Sequence, residues 1–170
     1  RQLSLFGAAW TLGSLRSLAL AGTDSATYYE TTGWLGVMER EAGSPLPDKF
    51  PSKPGQVFPL YFAFAWTAGR NIGIRSCSST RELEADGFAL QGDGRREVYL
   101  MNYLHEPVEI LLTGLEGTGE LTVLDAGTVE AACSDPEGFL GSRGSTIELS
   151  PRGTAIDLRE NAIVRIALRQ

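Results

Sequence analysis

Ala26-Thr27-Tyr28-Tyr29-Glu30-Thr31-Thr32-Gly33-Trp34 is the stretch from which the rest of the chain can be read. It is short, β-prone and nearly uncharged, and it ends on one carboxylate followed by a Gly-Trp turn. Runs of this kind are expected of strands buried on both faces, which occur in parallel sheets covered by helices. On such a strand Ala26, Tyr28 and Glu30 point one way, and Ser25, Thr27, Tyr29 and Thr31 the other. A lone Glu at the carboxyl end of a buried strand sits where (β/α)8 barrels keep their chemistry. The stretch is therefore expected to be the last strand of a barrel whose other strands lie outside these residues.

On the N-terminal side, Leu5, Ala8, Ala9, Leu12, Leu15 and Leu18-Ala19 recur at helical spacing, which predicts a helix over 3–22 stopped by Gly22. On the C-terminal side a loop is expected over 33–55, with Trp34, a Glu39-Arg40-Glu41 cluster and prolines at 45, 47, 51 and 54. A loop of that length is either a functional lid or partner surface, or a plain wrap-around connection. A second helix is predicted over 54–69, with Pro54 in its first turn. Val57, Phe58, Leu60, Tyr61, Phe62, Phe64, Ala65 and Trp66 make it apolar almost all round, so it should be buried between two layers.

From Ile72 the period of the apolar residues changes to two. Strands are predicted at 72–77, 83–91, 95–103, 107–113, 119–125, 146–150, 154–158 and 162–168. Turn signals lie between them, such as Gly92-Asp93-Gly94 and His105-Glu106-Pro107. Seven or eight short strands at this spacing argue an Ig-like antiparallel β-sandwich. An irregular piece over 127–144 interrupts it, with one helical turn at Ala131-Ala132 and a loop at Ser134-Asp135-Pro136. The fold class is thus mainly β: a sandwich over 71–170, preceded over 1–70 by a helix-strand-loop-helix remnant of a barrel.

A net charge of -6 argues against a nucleic-acid partner, which needs a basic surface. The apolar segment from Leu3 to Ala21 contains Arg16 and has helical periodicity, so it reads as an amphipathic helix rather than a signal peptide. No run has the ~18 apolar residues of a membrane span, and no membrane partner is expected. Cys77 and Cys133 lack metal or redox spacing and are expected to be free, part-buried thiols, which points to a cytoplasmic protein. The first residue is Arg1 rather than Met, as expected of a processed or truncated product.

Glu30 is the leading candidate for chemistry. In a complete barrel it is expected to be catalytic as general base, acid or nucleophile, against the alternative of a carboxylate bonded to loop backbone. Tyr28 and Trp34 are candidate substrate-binding rings, and each is also a plausible core residue. His105, the single histidine, lies in a turn, which excludes a Ser-His-Asp triad within the chain. No metal spacing occurs, and no cofactor is expected. Asp93 is read as a turn residue; Asp48, Glu82, Glu84 and Asp86 are read as solvated surface.

The run Thr27-Tyr28-Tyr29-Glu30-Thr31-Thr32-Gly33-Trp34, with Gly36-Val37-Met38-Glu39, Phe50-Pro51-Ser52, Pro54-Gly55 and Val57-Phe58-Pro59-Leu60-Tyr61, resembles the carboxy-terminal third of bacterial D-apionate lactonases. Asn102-Tyr103-Leu104, Val123-Leu124-Asp125 and Asp135-Pro136-Glu137-Gly138-Phe139 fit the sandwich that ends those proteins. The resemblance covers essentially the whole chain, and 27–61 is its specific part. It implies a glycoside-hydrolase-like barrel with a small sandwich on its side, and hydrolysis of a sugar-acid lactone. The partners it implies are the remainder of the barrel and a sugar-derived small molecule. A homodimer through exposed barrel-facing surfaces is expected of the chain alone. The rival is a non-catalytic carbohydrate-binding or interaction module, for which Tyr99, Met101 and Tyr103 form the candidate stripe.

Overall fold

The computed structural model describes residues 2–69 and 71–169. The chain opens with α1 (Leu5–Leu20), whose N-cap Ser4 accepts the Gly7 amide at 3.0 Å. It ends in a Schellman pair, Gly22 N–H to Ala19 O and Thr23 N–H to Leu18 O. Two short strands, β1 (Glu30–Thr32) and β2 (Gly36–Met38), pair in parallel. The second apolar helix, α2 (Leu60–Thr67), follows.

Eight strands come next: β3 (Gly73–Ser76), β4 (Ala85–Gly92), β5 (Arg95–Asn102), β6 (Val108–Leu112), β7 (Gly117–Leu124), β8 (Ser145–Leu149), β9 (Thr154–Leu158) and β10 (Ile163–Leu168). Two short helices, α3 (Val129–Ser134) and α4 (Pro136–Gly141), lie between β7 and β8. Six strands form an antiparallel sheet in the order β3-β4-β5-β10-β7-β8, and β6-β9 form a separate antiparallel pair. The chain is mainly β, as its alternation predicts, and the predicted strand bounds differ from these by two residues at most. Asp93 and Gly94 both have positive φ, 50° and 73°, the backbone of a two-residue hairpin turn between β4 and β5.

Both faces of the large sheet are covered. Val98, Leu100, Val164 and Ile166 pack against Ile156 and Leu158 of the β6-β9 layer. Phe88, Leu90, Tyr99, Met101 and Ile163 face the other way, onto α1, α2 and the α3-α4 corner. There Phe62 meets Phe139 edge-on at 5.0 Å, and Trp66 lies 6.4 Å from the Tyr99 ring. Helices and sheet thus share one core. Of α2, Leu60, Phe62, Ala63 and Trp66 are buried, whereas Tyr61, Phe64 and Ala65 are only half-buried, so the helix is covered less completely than its all-round apolar sequence predicts.

Polar ties fix the helices to the sheet. On β5, Glu97 is 3% exposed. Its Oε2 accepts from Arg95 Nε at 3.1 Å and lies 2.6 Å from the Tyr99 hydroxyl; its Oε1 accepts from Arg165 Nε at 3.1 Å. Arg95 also donates to the carbonyls of Ala68, at 2.7 Å, and of Trp66. A guanidinium on the last carbonyls of α2 satisfies groups the helix leaves open and complements its dipole. Burial alone raises a carboxyl pKa, but the bonds from Arg95, Arg165 and Tyr99 together outweigh it and hold Glu97 below its ordinary value.

A second tie joins α1. Arg16 reaches Asp86 Oδ2 at 3.1 Å, the Gly87 carbonyl at 3.0 Å and the Cys77 carbonyl at 3.2 Å. Asp86, expected as solvated surface, is 7% exposed. It shares the inward side of β4 with Phe88 and Leu90, which strand alternation requires. Burial raises its pKa, outweighing the Gly87 amide and Arg16. Beside this tie the Tyr103 phenol fills a notch at Gly13, where an added Cβ would sit 2.1 Å from its oxygen.

Three further expectations need correction. The second helix starts at Leu60, not 54, because Val57 bridges Met38 and the Phe58 amide donates to the Val37 carbonyl. Residues 26–29 are not strand, and Tyr29 takes φ 28°. Ser134-Asp135-Pro136 is the junction of α3 and α4, where Asp135 caps α4 by accepting the Gly138 amide at 3.0 Å.

Phe62→Ala should cost about 3–5 kcal/mol in urea unfolding, because a fully buried ring is lost. Arg152→Ala, at an exposed turn, should stay within about 0.5 kcal/mol. The pH dependence follows from the two carboxyls. Glu97, depressed in the fold, contributes stability above its unfolded value near 4.5, which is lost as pH falls through its folded value. Asp86 is raised and acts in the opposite sense: its contribution grows as pH falls through its folded value towards 3.8. The unfolding free-energy gap between wild type and Glu97→Gln should therefore narrow between about pH 6 and about pH 3.

Candidate functional site

Glu30 opens β1 and is exposed, as are Thr31 and Thr32. The buried strand expected here is therefore not what the chain forms. Its backbone is held by the Glu30 amide donating to the Leu35 carbonyl at 3.1 Å, across the turn that carries Trp34. Gly33 makes that turn possible: it sits at φ 89°, its amide reaches the Met38 carbonyl at 2.8 Å, and its own carbonyl accepts from Gly36 at 2.7 Å. Glu30 thus stands at the start of a short strand and is exposed to solvent.

Tyr28 does not share a face with Glu30. Its hydroxyl is 2.7 Å from Ser14 Oγ, and the Tyr29 hydroxyl is 3.1 Å from Thr11 Oγ1, both on α1. Successive side chains of a strand point to opposite faces. Here the left-handed φ of Tyr29 breaks that alternation and turns both rings to the helices, each edge-on to Phe64 at 5.5 and 6.3 Å. Trp34 is half-buried, its ring edge-on to Phe50 at 4.7 Å. Of the three predicted site residues, the fold keeps Trp34 near the Glu30 turn and draws Tyr28 away.

A residue missed as a site candidate is Glu39, directly after β2 and 1% exposed. Its carboxylate accepts from Ser52 Oγ at 2.5 Å and from the Arg40 amide at 2.8 Å. The available signal was Val37-Met38-Glu39 as the continuation of a strand, which the charge of Glu39-Arg40-Glu41 masked.

The rest of the molecule offers little chemistry. No group of three or more His, Cys, Asp or Glu among the described residues could hold a metal ion. Tyr99 and Met101 of the candidate stripe are fully buried, and core packing accounts for them. A groove of about 840 Å³ lies on the opposite side of the large sheet, floored by Ala89, Val98 and Leu100 and walled by β6. It is far along the chain from Glu30, and its polar lining comes from the 76–81 segment together with Glu84, Asp86 and Glu109. Cys77 is half-buried and Cys133 buried, both unpaired. Burial pushes the Cys133 thiol up to about 11 and raises Cys77 as well, so neither is an activated nucleophile. No helix among the described residues is long and apolar enough to cross a membrane.

The structure is similar to that of a GH30 endoxylanase from Clostridium papyrosolvens, with a TM-score of 0.68 at 12% identity, over 99% of this chain and 39% of that one. It is similar to the GH30 subfamily 8 xylanase Xyn30A from Clostridium acetobutylicum, with a TM-score of 0.69 at 8% identity, over 98% and 40%. It is also similar to AbfB, a family 51 α-L-arabinofuranosidase from Bifidobacterium longum, with a TM-score of 0.60 at 12% identity, over 99% and 36%. At these identities the likeness is one of fold, and the chain spans about two fifths of the length of these proteins. No curated protein matches the sequence. The TIM barrel domain of D-apionate lactonase matches residues 1–71, and the C-terminal immunoglobulin-like domain of D-apionate lactonase matches residues 82–156. With both domains following in order along its length, the chain belongs to the D-apionate lactonase family.

Proposed function

We propose that the chain is the C-terminal part of a sugar-acid lactone hydrolase and is inactive alone. Residues 1–70 then supply the closing helix-strand-loop-helix of a (β/α)8 barrel, and residues 71–170 act as a structural accessory domain. The observation that carries this is the content of the barrel-matched part. It holds two short parallel strands and two helices, whereas eight strands close such a barrel.

In the completed barrel Glu30 is the catalytic carboxylate at the carboxyl end of its strand. As general base it takes a proton from a water that attacks the lactone carbonyl. The tetrahedral oxyanion collapses, the bond to the ring oxygen breaks, and that oxygen is protonated to leave the open hydroxy acid. The donors for the oxyanion come from other strands, as one carboxylate is weak without them. Trp34 is the substrate-facing ring beside Glu30. Tyr28 joins it once neighbouring strands extend β1 and restore the alternation that sets Tyr28 and Glu30 on one face. The substrate is a sugar-derived small molecule. The unpaired thiols favour a cytoplasmic setting.

The chain alone should show no hydrolysis of sugar-acid lactones above background in a pH-stat assay. In the protein that completes the barrel, Glu30→Gln should lower turnover by roughly 10²-fold or more and leave the thermal midpoint nearly unchanged, since Glu30 is exposed. Full activity of the variant would make Glu30 scaffold, and turnover by the isolated chain would refute its incompleteness. The edge of β1 that β2 does not cover, with exposed Tyr29 and Leu35, favours self-association. Sedimentation should detect a dimer, and a strict monomer at all concentrations would remove that part of the proposal.

A further inference from the structure

Glu39 is a buried carboxylate with no cation within ion-pair distance among the described residues. Burying a charge without a counterion is unfavourable, so the groups that do reach it matter. They are two: the Arg40 amide, at the start of the 40–52 loop, and the Ser52 hydroxyl, at its end. The carboxylate therefore joins the two ends of one loop. The backbone closes at the same place, where the Glu39 amide donates to the Gln56 carbonyl at 2.8 Å and the Gly55 amide to the Arg40 carbonyl at 3.2 Å.

The loop so closed touches the turn beside Glu30 from both ends. Ser52 Oγ lies 3.4 Å from the Phe50 carbonyl, and the Phe50 ring is the one packed edge-on against Trp34. From the other end, the Arg40 guanidinium lies over Gly33, where an added Cβ would meet Nε at 3.0 Å. Elsewhere the loop has little to hold it, for residues 45–49 are exposed.

We propose that Glu39 and Ser52 form a buried latch that fixes the 40–52 loop against Trp34 and thereby sets the wall beside Glu30. Glu39 is a positioning residue in this scheme. Its carboxylate takes the single Ser52 hydroxyl proton and fixes that end of the loop, Phe50 is two residues away along the backbone, and the Phe50 ring holds that of Trp34. That this wall contacts a sugar rests on the hydrolase proposal; the latch itself does not.

The test uses the full chain and needs no substrate. Labelled with 5-fluorotryptophan, the protein gives fluorine signals for Trp10, Trp34 and Trp66, and Trp34→Phe assigns the one at issue. Ser52→Ala should shift or broaden the Trp34 signal and leave Trp66 in place. Amide exchange at Gly43 and Gly55 should rise by roughly 10- to 100-fold, the scale of a lost bond to a charged acceptor, while β5 amides stay unchanged. Ser52→Thr, which keeps the hydroxyl, should restore both readings, and Glu39→Gln should act like Ser52→Ala. An unmoved Trp34 signal with unchanged exchange at Gly43 and Gly55 in Ser52→Ala would overturn the latch. So would equal disturbance of Trp34 and Trp66, which marks general loosening. Because neither reading involves catalysis, a failed latch and a failed hydrolase proposal are distinguishable.

Discussion

Strand β5 must be covered on both faces, and the rest of the structure follows from how that is done. Every residue from Glu97 to Asn102 is buried. A strand in that position needs a layer on each side. The β6-β9 pair supplies one and the helices supply the other. Glu97 is the point where the helical cover is fastened. Its carboxylate pairs with both Arg95 and Arg165, and Arg95 closes the carboxyl end of α2. Removing one member of such a buried cluster leaves uncompensated charge, so the members stand or fall together. The α1 attachment through Arg16 and Asp86 repeats the device at the next strand.

The barrel-matched part lives under a weaker constraint. A two-stranded parallel pair is marginal by itself, and β1-β2 has three residues per strand. The segment before it takes the nearest stable partners instead. Tyr28 and Tyr29 bond to α1 and pack on Phe64. What a strand interior would have fixed by pairing is here fixed by two hydroxyls and a ring cluster. Family membership and local conformation thus give different information about the same residues. Domain matches place 1–71 with a TIM barrel, while the conformation of 26–29 answers to the contacts within this chain.

The strands from β3 to β10 were legible because their apolar residues recur with a period of two between turn signals, although β5 turned out to be buried on both faces. Asp86 was legible by the same rule, since it falls in step with Phe88 and Leu90, but its charge argued for solvent; Arg16, seventy residues away, is what admits it to the core. The start of α2 was not legible. Val57 and Phe58 suit a helix by composition, and only the long-range pairing with β2 draws them out. Of the candidate site, the Glu30-Trp34 turn was legible from Gly33. The burial of Glu39 was not, because the hydroxyl that accommodates it comes from across a proline-rich loop.

The central claim is that helices and sheet form one cooperative unit through their shared core. Native-state amide exchange across a urea series measures this most directly, since it reports an opening free energy for each element separately. The account predicts that the most protected amides of α1, α2 and β5 merge into one global opening with one denaturant dependence. Release of α1 and α2 in a separate, lower-energy opening, with β5 still protected as a free-standing sandwich, would contradict it.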